Sequence, residues 1–86
     1  MNEREQCVSA CIECATLLRL GRSIEAGLDM LDVCEQASVL LDSRPAIIRH
    51  QWVAVLSRMH DCQQAQDWLG LADYMDHELV ELLNAE

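Results

Sequence analysis

Three cysteines near the amino terminus are the residues of this chain whose type and spacing could do chemistry. Cys7, Cys11 and Cys14 form a C-x3-C-x2-C pattern that places three thiols on one face of a helix. Thiolates grouped in this way could bind a soft metal such as Cu(I), or act in thiol redox chemistry. The pattern also suits a helical core, because an unpaired cysteine packs as a small hydrophobe. We expect core packing and no cofactor, and keep metal or redox chemistry as the alternative.

The other two cysteines do not extend this pattern. Cys34 and Cys62 are isolated, the count of five is odd, and there is no secretory signal, so a disulfide framework is not expected. Zinc is not expected either, because the chain lacks paired C-x2-C knuckles. In addition, His60 and Cys62 would point in different directions on one helix.

A hydrolytic triad is the next chemistry to consider. His50, Ser57 and Asp61 could share one helix face. A hydrolytic nucleophile needs a strained turn beside an oxyanion hole, and a straight helix supplies neither. The chain also lacks an H-E-x-x-H motif and a glycine-rich phosphate loop. We therefore predict a protein without enzyme activity.

The composition narrows the class of partner. The chain has 86 residues, of which 51% are hydrophobic, enough apolar material for one small folded domain covering residues 1–86. Its net charge is −9, with 15 acidic residues against 6 basic ones, all of them arginine. Phosphate binding needs a basic surface, so nucleic acid and anionic membranes are disfavoured. No targeting or membrane-spanning segment is evident, which predicts a cytoplasmic protein.

Hydrophobic periodicity and turn residues predict an all-α fold of four antiparallel helices, arranged as two helical hairpins or a small bundle. The predicted helices cover residues 3–20, 23–42, 45 to about 59 or 60, and 63–83. Gly21 should adopt a left-handed conformation after the first helix. Ser23 is expected to be the N-cap of the second helix, and Pro45 to lie in the first turn of the third.

The fourth predicted helix has the steadiest apolar pattern. Its apolar residues are separated by 3, 4, 3, 4 and 3 positions: Ala65, Trp68, Ala72, Met75, Leu79 and Leu82. This heptad-like seam predicts packing inside a bundle. A contact between two copies of the chain is the alternative, which would make the protein a self-associating structural protein.

The run Leu20-Gly21-Arg22, followed by Glu25-Ala26, resembles the turn of a tetratricopeptide-type helical hairpin. The segment 59–65 is a weaker echo, with Ala65 in the place of Ala26 and an offset of 39 residues, from position 20 to 59, against about 34 in that family. In size, charge and helical pattern the chain is also similar to the small acidic chaperones of bacterial type III secretion and flagellar export. That similarity implies an apolar groove that holds an aggregation-prone helical subunit.

These resemblances imply a protein-binding module, either a chaperone or an adaptor. The expected partner is an amphipathic helix of another protein, or a second copy of the chain. Leu28 and Val39 interrupt the polar face of the second helix, and Trp68 lies near a turn, where it could serve as a binding hot spot. Met75 and Leu79 of the fourth helix complete the set of candidate contact residues.

Overall fold

The computed structural model describes residues 2–85, and throughout that range the protein is helical with no β-strand. The helices are α1 (Glu3–Arg19), α2 (Ser23–Asp42), α3 (Ala46–Gln64), α4 (Trp68–Asp73) and α5 (Leu79–Asn84). A π-helical turn, Tyr74–Glu78, joins α4 to α5, so that these three segments form one continuous fourth helix. The prediction of an all-α fold with four helices is confirmed. None of the described helices is both long and apolar enough to cross a membrane.

The core lies around α1, which contacts α2 and all three segments of the fourth helix. On α1 the buried residues are Cys7, Cys11, Cys14, Ala15 and Leu18. The predicted seam of the fourth helix faces this core: Ala72, Met75, Leu79 and Leu82 are buried. The protein's own helices thus occupy most of the seam. Contrary to the alternative, most of the seam is therefore not exposed for contact with a second copy of the chain.

The turn between α1 and α2 forms as its glycine predicts. Gly21 has a φ of 78°, a conformation that costs glycine little. The amide of Arg22 donates to the Leu17 carbonyl at 2.9 Å, and that of Gly21 to Leu18 at 3.2 Å, which together make a Schellman motif. Arg22 follows directly as the N-cap of α2, so Ser23 is the first helical residue and not the predicted cap.

The second helical turn lies later than predicted. Residues 59–64, which were expected to echo the first turn, continue α3 to its end at Gln64. The Schellman bond instead joins the Asp67 amide to the Cys62 carbonyl at 2.8 Å, and Gln66 takes the left-handed conformation with a φ of 56°. The two turns are thus equivalent at an offset of 45 residues, from Gly21 to Gln66, and the predicted offset is wrong.

The Asp67 carboxylate explains why the fourth helix begins at Trp68. Asp67 is the N-cap of α4, and its Oδ1 accepts a hydrogen bond from the Gly70 amide at 3.0 Å. A Cβ on Gly70 would collide with this carboxylate, so glycine leaves room for the cap. No comparable cap occurs at residue 63, where the fourth helix was predicted to start.

The loop before α3 is tied to the end of the chain. Pro45 is the N-cap of α3 and does not lie within the first turn as predicted. The guanidinium of Arg44 donates to the carbonyls of Leu83, at 3.1 Å, and of Ala85. These carbonyls lie in the last turn of α5 and at its C-cap, where a cation satisfies free acceptors. Arg44 therefore fixes the end of the fourth helix against the loop between α2 and α3.

Candidate functional site

An open apolar groove runs between α2 and α3. The groove has a volume of about 520 Å³. The α2 wall consists of Gly27, Met30, Leu31 and Cys34, and the α3 wall consists of Val53, Leu56, Ser57, Met59, His60 and Gln63. Most of these side chains are apolar, which is the usual character of a surface that binds another molecule.

One described side-chain hydrogen bond joins α2 to α3, and it lies outside the groove. In this bond the Trp52 indole donates to the Ser38 hydroxyl at 3.3 Å, and Trp52 is buried in the core. Further along α2, Gly27 provides no side chain to fill the space, and a Cβ at this position would meet nothing within 4 Å. The groove lies beyond this contact, and Gly27 leaves free space at its α2 wall.

Gly27 has no role in the fold that requires a glycine. It lies inside α2 with ordinary helical geometry, where glycine costs about 1 kcal/mol relative to alanine. No neighbouring side chain excludes a larger residue. A glycine in such a place allows another backbone to approach closely. Packing within the chain therefore does not require a glycine at this position.

The apolar surface continues beyond the groove along α2. Leu31 on one wall is 71% exposed and Val53 on the other is 64% exposed. Ile24, at 81%, and Leu28, at 66%, extend the same surface toward the start of α2. Single exposed leucines are normal, but a continuous apolar patch on a small protein indicates an interaction site.

The helix that carries this surface is strongly acidic. All of the charged side chains of α2 are carboxylates, and all are exposed: Glu25, Asp29, Asp32, Glu35 and Asp42. None of these carboxylates lines the groove, and Asp32 and Glu35 line the separate cleft between α1 and α2. The negative potential therefore belongs to α2 as a whole and not to the rim of the groove.

The five candidate contact residues divide into three groups. Leu28 is exposed and belongs to the apolar surface beside the groove. Val39 is exposed but lines a separate cleft between α1 and α2. Trp68 is half-buried against the core. Met75 and Leu79 are fully buried in the bundle, so they cannot contact a partner while the fourth helix is packed, and their candidate role is corrected.

Sequence reasoning missed the residues that form the two walls of the groove. Gly27 and Leu31 widen the apolar arc of α2, and Val53 lies on the opposite wall. The feature of the sequence that could have indicated the groove is Gly27, a glycine within the broad apolar side of α2. The arc alone does not show which of its residues lie against α1 and which remain open beside α3.

The cysteine pattern of α1 faces the interior. Cys7, Cys11 and Cys14 have no exposed surface, and the Cys14 thiol donates to the Ala26 carbonyl at 3.4 Å. Burial, together with the nearby Asp29 and Cys34, raises the pKa of Cys14 to about 11. The Cys14 thiol is therefore protonated at neutral pH, and all three cysteines pack in the core as small side chains.

The residues of the suggested triad do not form a catalytic arrangement. His50, Ser57 and Asp61 are all exposed on α3. Among the hydrogen bonds of residues 2–85, none joins one of these side chains to another. These side chains lie on an exposed side of α3, and Ser57 also lines the groove.

The π-helical turn brings together one polar cluster on the fourth helix. The Leu79 amide donates to the Tyr74 carbonyl, five residues earlier, and the ligand atoms of Asp73, Asp76 and His77 lie within 4.8 Å of one another. Arg19 of α1 already occupies this cluster, donating to Asp73 at 2.8 Å and to Asp76 at 2.5 Å. The cluster is thus an ion-pair network that joins α1 to the fourth helix.

This network gives an expected pH dependence. The Arg19 guanidinium, aided by His77, holds the pKa of the Asp76 carboxyl below its usual value. A lowered folded-state pKa stabilises the protein above the unfolded value of about 3.9, and this stabilisation is lost as the pH falls through the folded value. We expect Arg19→Gln to lower the melting temperature by a few degrees at pH 7, and the gap from the unmodified protein to narrow as the pH falls below the unfolded value of about 3.9.

Thermal unfolding followed by circular dichroism between pH 2.5 and 7 checks this prediction. Arg22→Gln is the matched control, because Arg22 forms only an exposed pair with Glu25 at 3.8 Å. A gap for Arg19→Gln that stays constant with pH, or equals the gap for Arg22→Gln, would contradict the role of Asp76.

Comparisons with protein families, with curated proteins and with solved structures gave no match. The resemblance to tetratricopeptide-type hairpins and to export chaperones therefore stays a prediction from the sequence.

Proposed function

We propose that this protein is a non-enzymatic binding module that holds an amphipathic helix of another protein in the groove between α2 and α3. The observation that carries the proposal is the apolar groove left open at Gly27, with exposed Leu31 and Val53 on its two walls. Within this class, we favour a cytoplasmic chaperone or adaptor of the secretion type. Such a protein covers the apolar face of a helical subunit that would otherwise aggregate.

The groove defines the length of its partner. From Ile24 to Cys34, the apolar side of α2 covers ten residue steps, or about 15 Å at 1.5 Å per residue. A helix of about three turns would fill this length, with apolar anchors at positions i, i+3 or i+4, and i+7. The space beside Gly27 would accept the largest anchor or the closest approach of the two backbones.

Charge distinguishes a different protein from a second copy of this chain. Each copy carries −9, so two acidic α2 surfaces would repel each other when paired across their grooves. A helix with lysine or arginine beside its apolar face would instead be attracted to the negative charge of the whole chain, to which the exposed carboxylates of α2 contribute. We therefore propose a basic amphipathic helix as the occupant.

Two exposed valines allow a matched test in the native host. A photo-crosslinking residue replaces Val53, which lies in the groove, or Val39, which is 69% exposed in a separate cleft. We expect the probe at Val53, and not the one at Val39, to crosslink one protein through a segment that has an apolar face and basic flanks. A synthetic peptide of that segment should then bind the purified chain.

Three results would refute the proposal. The first is equal crosslinking from both positions, and the second is a crosslink from Val53 to a second copy of the chain only. The third is a crosslinked segment whose peptide does not bind the purified chain, or binds it no more weakly when Val53 is replaced by aspartate.

A further inference from the structure

Four of the five thiols gather between α1 and α2. Cys7, Cys11 and Cys14 lie on successive turns of one α1 face and are fully buried. Cys34 faces them from α2 and is half-buried, since it also lines the groove next to α3. The Cys7 thiol, burial, and the neighbouring Cys34 and Cys14 together raise the pKa of Cys11, as expected for clustered thiols. The cluster is thus buried at Cys11 and reaches the surface at Cys34.

The thiols of this cluster are weakly held. The Cys7 thiol points to the Val33 carbonyl at 4.0 Å, the limit of a sulfur hydrogen bond, and the neighbouring Cys11 thiol lowers the pKa of Cys7. Among the described hydrogen bonds, Cys11 donates to no backbone carbonyl. An ion with high affinity for sulfur would therefore displace little hydrogen bonding from this pair.

We propose that Cys7 and Cys11 form a two-coordinate thiolate site for a soft monovalent cation, Cu(I), and that Cys34 is the thiol that first meets the ion from the groove. Residues i and i+4 of a helix have Cβ atoms about 5–6 Å apart, so one ion can bridge their sulfur atoms. Each thiol gives one proton to solvent and forms one sulfur–copper bond. The copper stays Cu(I), and the site gains a charge of −1.

The surroundings favour this cation over zinc. Structural zinc takes four ligands in a tetrahedron, and in residues 2–85 no three of the four thiols lie close enough together to share one ion. Four thiolates on a divalent ion would also leave a charge of −2 in an apolar core, against −1 for two thiolates on Cu(I). A soft ion that accepts two sulfur ligands is therefore the best chemical fit.

An anaerobic titration of the full chain with Cu(I), buffered by a chromogenic chelator, tests the proposal. We expect one Cu(I) per chain, release of two protons, and a new ultraviolet thiolate-to-copper absorption. Cys7→Ala and Cys11→Ala should each weaken binding at least about 100-fold, because one ligand of two is lost. Cys34→Ala should slow uptake and leave the affinity unchanged.

Cys62→Ala is the matched control. Cys62 lies on α3 and does not influence the pKa of Cys7, Cys11 or Cys14. Failure of the unmodified chain to bind Cu(I), or equal binding after loss of both Cys7 and Cys11, would overturn the proposal, as would loss of binding in Cys62→Ala. If the alanine variants do not fold, X-ray absorption of the copper-loaded chain decides. Two sulfur ligands support the site, and nitrogen, oxygen or additional sulfur ligands refute it.

Discussion

Replacement of Leu71 by alanine is expected to lower the free energy of unfolding by about 3 kcal/mol. Leu71 is fully buried where α4 packs on α1, the helix at the centre of the core. Truncation removes the apolar contacts of its side chain and leaves a cavity that the surrounding helices cannot fully close. An 86-residue domain has a total stability of roughly 4–13 kcal/mol. The variant should therefore lose a large part of its stability.

Leu69→Ala is the matched control, because Leu69 lies on the same helix and is 65% exposed. We expect the control to change the free energy of unfolding by less than about 0.5 kcal/mol. Urea denaturation followed by circular dichroism measures both variants, and the melting temperature of Leu71→Ala should fall by roughly 15 °C. Equal destabilisation of the two variants would show that α4 does not pack on α1 as described.

Much of this fold could be predicted from local sequence. Helical periodicity identified four helices, and Gly21 marked the first turn because glycine readily adopts a positive φ. The second turn was misplaced because its left-handed residue is Gln66, which has no such preference. The position of the second turn is determined by the Asp67 cap and by the hydrogen bond from the Asp67 amide to the Cys62 carbonyl. An aspartate that caps a helix is hard to recognise in a sequence before the start of that helix is known.

The candidate site was less predictable, because it depends on how the helices are spaced. Leu28 and Val39 both interrupt the polar face of α2, and neither lines the groove: Val39 lines a separate cleft, and Leu28 is exposed one turn before Leu31. Met75 and Leu79 share the apolar spacing of a contact surface, but the protein's own core covers them. Periodicity shows which side of a helix is apolar. Whether another helix covers that side depends on tertiary packing, and here α3 leaves part of α2 uncovered.

Filling the groove at Gly27 is expected to separate binding from stability. Gly27→Leu places an isobutyl group in the space where the partner helix would lie, so we expect the affinity for the segment crosslinked at Val53 to fall at least about 100-fold, or about 3 kcal/mol. The same substitution removes a glycine from the interior of α2 and meets no neighbouring atom at Cβ. The free energy of unfolding should therefore rise by about 0.5–1 kcal/mol.

Two variants control for the separate effects of this substitution. Gly27→Ala should give the same gain in stability, because it restores helix propensity, and should weaken binding less than Gly27→Leu does, because a methyl group fills less of the groove. Ala54→Leu adds a comparable side chain to α3 outside the groove, in the cleft beside the fourth helix, and should also retain binding. Calorimetric titration measures affinity and urea denaturation measures stability. A Gly27→Leu protein that is more stable and still binds at full affinity would exclude the groove as the docking site, because stability shows that the helix is intact and binding shows that the filled space is not needed.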